Sequence, residues 1–215
     1  MLREVKEKVK NISNLSLLTS CLKTFTEIII IYLSVNLFIY FISTFSGLPR
    51  SYDGFILLSG MFIPVIFWER GIKKIPLKET GLSVPEDFIY EFITAILLLL
   101  IIICYNFLLP YSAKINNLTV IFNISFILNC FLTSLSEEFF YRGILLKKMV
   151  NVAGRLSGTV IISIIFVFIC HRGAGFTENL IWRFPVSLIL SYLYLRKNNL
   201  FMPVTVHLIV NLLFS

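Results

Sequence analysis

Charged residues in this chain are bunched, and long stretches without any lie between the bunches. Residues 28–46, 92–113 and 115–136 contain no Asp, Glu, Lys or Arg and are predominantly apolar. A charge-free apolar run of about 18 or more residues is long enough to cross the hydrocarbon of a bilayer as a helix. Four further segments repeat the pattern in weaker form. Residues 54–68 are short for a span, 156–170 run straight into His171, 179–195 are interrupted by Arg183, and 198–215 have no formal charge but include His207. Short spans are tolerated where flanking Lys and Arg snorkel or the bilayer thins. Backbone crossing hydrocarbon must bond internally, so helices are expected throughout. The pattern predicts an all-α fold, a polytopic membrane bundle of about seven transmembrane helices.

Composition strengthens this reading. The 215 residues are 57% hydrophobic and only 14% charged, against about 25% charged in soluble domains. The net charge of +7 raises the question of nucleic acid, but its distribution answers it. Arg3, Lys6, Lys8, Lys10 and Lys23 precede the first span, and Arg70, Lys73, Lys74 and Lys78 follow the second. Lys147, Lys148 and Arg155 follow the fourth, and Arg196 and Lys197 the sixth, whereas the alternate connections hold only Arg50, Lys114 and Arg172. Cytoplasmic loops are the ones enriched in Lys and Arg. A multi-pass protein of the cell membrane is expected, with a cytoplasmic N-terminus, an external C-terminus and no nucleic-acid partner.

Residues 1–22 form a polar, basic stretch unlike a cleaved signal peptide and suited to an interfacial helix. Residues 23–215 read as a single bundle without internal repeats. The polar connection 69–87 divides it into a front pair of helices and a back set of five. Gly154 and Gly158 make a GxxxG whose ordinary explanation is a packing contact. Cys21, Cys104, Cys130 and Cys170 form no CxxC, and three of them lie in apolar runs as small buried hydrophobes would. Cys170 stands apart because His171 follows it.

Ionisable groups inside membrane spans are rare unless they pair or work. Glu137 and Glu138 are embedded in apolar sequence, His171 ends the fifth span and His207 lies within the seventh; these are the only two histidines. Taking Lys147, Arg155 and Asn199 as the cytoplasmic ends of their spans, with about 1.5 Å rise per residue, Glu137, His171 and His207 lie roughly 15, 24 and 12 Å in, all within a core of about 30 Å. Asn211 is four residues after His207, on the same helical face. Glu138 and Arg142 are spaced i,i+4 with the acid first, the favourable order for an ion pair. That pair would leave Glu137, about 100° around the helix, free to act as a base. Each feature alone has a structural explanation, as an interhelical hydrogen bond or a solvated cap. Their concentration in three consecutive apolar regions favours a functional polar site.

At these residues the chain resembles the CPBP family of CAAX prenyl proteases and bacteriocin-processing enzymes, also called Abi proteins. The EExxxR motif is matched by Glu137, Glu138 and Arg142, with Gly143 following. The FxxxH motif ends at His171, but Val167 occupies the aromatic position, with Phe166 and Phe168 on either side. The HxxxN motif is matched by His207 and Asn211, and the resemblance covers about residues 120–215. It implies an intramembrane endopeptidase acting on a peptide or a membrane-anchored substrate. Glu137 would activate water with His171 helping to hold it, His207 and Asn211 would donate to the oxyanion, and Glu138 and Arg142 would orient them.

The family is commonly labelled metalloprotease. Glu137, His171 and His207 are the candidate ligands for a divalent metal such as zinc, since two His and one Glu with an open water position make a familiar set. There is no HExxH, however, and Asn211 is an unusual zinc ligand that a metal-free glutamate mechanism explains better. A non-enzymatic membrane protein, such as a bacteriocin immunity factor or a sensor-kinase scaffold, is the alternative; a small transporter has less support because no inverted repeat is visible. The Ile-, Lys-, Asn- and Phe-rich composition hints at an AT-rich bacterial genome, where a peptide precursor is a more natural substrate than a prenylated one.

Overall fold

The computed structural model describes residues 2–45, 53–83, 85–108, 121–171, 173 and 175–214, without the side chains of 2–18, 53, 77 and 78. Arg50, Lys114 and Arg172 lie outside the described residues. Every described element is helical, and continuous stretches make seven rods. Helix α1 is Leu2–Phe45, α2 is Asp53–Ile66 extended by a π-helical turn Phe67–Ile72, and α3 is Phe88–Leu108. Helix α4 combines Ile124–Glu138, a π-helical Phe139–Leu146 and Lys147–Ala153, while α5 joins Arg155–Ile165 to a π-turn Phe166–Cys170. Helix α6 runs through Phe176–Glu178, Asn179–Arg183 and Phe184–Lys197, and α7 is Phe201–Phe214. A short 3-10 turn, Leu77–Thr80, interrupts the polar connection.

Three stretches, Thr19–Phe45, Gly54–Ile72 and Phe88–Leu108, are long and apolar enough to cross a membrane, and Arg155–Cys170 and Phe201–Phe214 are shorter apolar helices. The protein is a multi-pass membrane protein. The second segment, short in the sequence, reaches spanning length because its helix continues past Trp68 to Ile72. The basic N-terminal stretch and the first span form one helix with no break near residue 22.

One expected boundary is corrected. The run 115–136 does not form a single span, because the chain turns at Phe122 and Asn123 caps a fresh helix, its side chain accepting from Phe126 N. Asn is a preferred N-cap since its carbonyl satisfies an otherwise orphaned amide. The helix starting at Ile124 then continues to Ala153, with Glu137 and Glu138 in its middle.

Burial explains the arrangement. Residues 139–146 of α4 are buried on every side, the mark of a central helix. Conversely, Ile29, Leu33, Leu37 and Phe41 of α1 are more than half exposed, as are Ile89, Ile93, Leu97 and Leu100 of α3. In water such stripes would drive association; against lipid they are at home. Close approaches to α4 use glycine: a Cβ on Gly143 would stand 2.8 Å from the Thr80 carbonyl. In the GxxxG, Gly158 packs as expected, since a Cβ there would meet the Val150 amide at 2.9 Å. Gly154 instead makes the break between α4 and α5, with φ of 81°, a backbone state glycine adopts without strain.

Candidate active site

The central helix α4 presents its polar residues to α5, α6 and α7. Glu138 and Arg142 form the i,i+4 pair at 2.9 Å, and both side chains are fully buried. Arg142 also donates to the Ser187 hydroxyl at 2.8 Å and the Ser187 carbonyl at 3.4 Å on α6. Its guanidinium lies 4.3 Å from the centre of the Phe166 ring. The pair therefore fastens three helices and fixes the orientation of one carboxylate.

His207 stands between the two glutamates. Its Nδ1 is 2.7 Å from Glu138 Oε1, and its Nε2 is 3.6 Å from Glu137 Oε2. A carboxylate accepts only, so the close contact assigns the Nδ1 proton to the Glu138 bond. The longer separation exceeds a direct hydrogen bond, and Glu137 Oε2 is buried without one. Asn211, one turn on, donates to the Ser134 hydroxyl on α4 at 3.1 Å.

His171 arrives from α5. The aromatic partner expected four residues before it is instead Phe166, five before, and the two rings meet edge to face with centroids 5.0 Å apart. The π-turn over Phe166–Cys170 is the reason. A π-turn accommodates one extra residue per turn, so position i−5 takes the place that i−4 holds on an α-helix. Phe166 also meets the His207 ring edge to face at 6.0 Å. The departure at Val167 is thus absorbed by the backbone.

All four sequence candidates come together. One donor atom each from Glu137, Cys170 and His171 lie within 4.8 Å of one another. His171, His207 and Asn211 line a cavity of about 180 Å³ with Phe166, Trp182 and Arg183. That is smaller than the roughly 300–1,000 Å³ that houses a whole small ligand. A zinc-class ion fits the donors present, a carboxylate, a thiol and an imidazole. Ser134 and Ser187 were not singled out in the sequence, and Phe166 was noted only as a neighbour of the motif's aromatic position. Nothing distinguishes a working serine in an apolar helix from an ordinary one, and the π-turn that brings Phe166 into place leaves no motif.

Residues 119–213 match the family model described as type II CAAX prenyl endopeptidase, Rce1-like. This region is an Rce1-like CAAX protease (CPBP/Abi) domain. Its limits enclose α4 to α7 almost entirely, and therefore every residue of the site. Comparisons with curated proteins and with solved structures find no match.

Proposed function

We propose that the protein is an intramembrane endopeptidase in which Glu137 activates water for attack on a peptide bond. The observation that carries this is the unequal treatment of two adjacent carboxylates. Each keeps its Oε2 buried without a hydrogen bond, but Glu138 Oε1 is held by Arg142 and by His207 Nδ1, whereas Glu137 meets only the Cys170 thiol at 3.8 Å and His207 Nε2 at 3.6 Å. A buried carboxylate so placed is suited to take a proton from water. His171, across the same cluster, helps hold that water.

Attack converts the scissile carbonyl into an oxyanion, and its collapse breaks the C–N bond as Glu137 returns the proton to the leaving amine. Asn211 donates to the oxyanion through its amide, and His207 does so through Nε2–H in the imidazolium form. Preorganised donors of this kind supply much of the barrier reduction in acyl transfer. Glu138 and Arg142 act on the reaction through His207, by holding Nδ1. A bound divalent ion, held by Glu137 with neighbouring donors, would acidify water and polarise the carbonyl.

The substrate is a peptide or a membrane-anchored chain. An apolar groove of about 430 Å³ between α4 and α7, lined by Phe131, Leu135, Val204 and Leu208, supports entry from the lipid side. All seven rods cross the bilayer in this reading, with the N-terminus cytoplasmic and the C-terminus outside.

Purified protein in detergent, given a peptide library, should release fragments identifiable by mass spectrometry, and Glu137→Ala should release none. Absence of cleavage by the wild type, together with biological activity that survives loss of Glu137, His171 and His207, would favour a non-enzymatic immunity or scaffold role.

A further inference from the structure

Cys170 takes no part in the catalytic steps above, yet its thiol lies beside Glu137 and His171. Its Sγ is 3.8 Å from Glu137 Oε1, a weak hydrogen bond at best. The same separation is natural for two ligands of one small ion: bonds of about 2.0–2.3 Å in a tetrahedron set the donors roughly 3.3–3.8 Å apart. His171 completes the group within 4.8 Å.

The backbone explains how neighbouring residues both reach Glu137. On a continuing helix consecutive side chains diverge by about 100°. Here the π-turn ends at Cys170, and His171 leaves the helical region with φ −100° and ψ 34°. Charge points the same way. Arg142 pairs with Glu138, and among the ion pairs of the described residues Glu137 has only His207, at 3.6 Å, so Glu137 has no permanent cation against it. Glu137 Oε2 makes no hydrogen bond. His207 is occupied through Nδ1 by Glu138.

We infer that the site binds a borderline-soft divalent cation of the zinc class through Glu137, Cys170 and His171, with the Cys170 thiolate as its sulfur ligand. Binding forms a metal–sulfur bond as the thiol proton leaves to water. Thiolate and imidazole select such ions over magnesium or calcium, which prefer all-oxygen sites. The inference uses the same pocket as the peptidase reading but requires no hydrolysis.

The test is titration of the full chain in detergent, stripped with a chelator, with cobalt(II). A saturable thiolate-to-cobalt charge-transfer absorption in the near ultraviolet is expected. Zinc should displace it, Cys170→Ser should abolish it and His171→Ala should weaken it. Cys104→Ser, which removes an exposed thiol, should leave it intact, as should Cys21→Ser and Cys130→Ser. No band in the wild type, or a band that survives Cys170→Ser, overturns the inference. Peptide cleavage measured on the same samples separates the two readings: a Cys170-dependent band without cleavage in any metal state removes the peptidase and leaves the metal site standing.

Discussion

Two clusters of charge, one partly exposed and one buried, hold this bundle together, and they are built on opposite terms. The first joins α1, α2 and α4: Lys148 lies 2.6 Å from Glu27 and 2.7 Å from Glu69, and Lys73 also pairs with Glu27. Two carboxylates meet two ammonium groups, and the Trp68 indole donates to Glu27 as well. The second, at the heart of α4 to α7, sets Glu137 and Glu138 against Arg142 with His207 between them. A cluster that serves only to tie helices together has every reason to balance. The one in the core sets two carboxylates against one permanent cation, so its balance rests on the proton of His207, as the proposed role of Glu137 requires.

The comparison can be broken in several places. Arg142→Ala should have the largest effect on stability, because removing one partner of a fully buried pair costs about 3–5 kcal/mol, here stranding Glu138. A midpoint of thermal unfolding in detergent indistinguishable from wild type would mean that the pair holds nothing. Asn211→Ala should lower kcat by about 10²-fold or more, in line with loss of one oxyanion donor, while shifting the unfolding midpoint less than Arg142→Ala does. A loss of stability without a loss of kcat would make Asn211 interhelical glue.

Lys148→Ala should cost about 1–3 kcal/mol, the range for stranding a partly buried polar partner, and leave kcat near wild type. The smallest effect belongs to the exposed Lys197–Asp87 pair, 2.9 Å apart between α6 and the loop before α3. The hydrogen bond and charge of Asp87 raise Lys197 above its ordinary 10.5. Its contribution is therefore present below pH 10.5 and lost as pH climbs through the raised value. Screening by solvent keeps it small, and Lys197→Ala should leave the unfolding midpoint at pH 7 unchanged.

Much of the architecture was legible because hydrocarbon is a demanding solvent. Segregated charge marks the spans, and a residue such as Glu137 or His207 is conspicuous where polar groups are costly. The i,i+4 spacing of Glu138 and Arg142 translated directly into a contact. Local backbone events were less legible. Asn123 looks like one more polar residue in an apolar run, yet it caps the helix that carries Glu137. The π-turn before His171 shifts the aromatic partner from position 167 to 166 and brings Cys170 against Glu137. No spacing rule for an ordinary helix anticipates either. Ser187 and Ser134 owe their roles to helices that meet only in the folded bundle.

The contrast between the neighbouring carboxylates is open to one direct measurement: cleavage rate and thermal midpoint of purified Glu137→Gln beside wild type. Removing a buried carboxylate that makes no close ion pair, while keeping its shape, should give a midpoint at or above wild type and cleavage no faster than background. A well-folded Glu137→Gln protein that cleaves as fast as wild type would contradict the account.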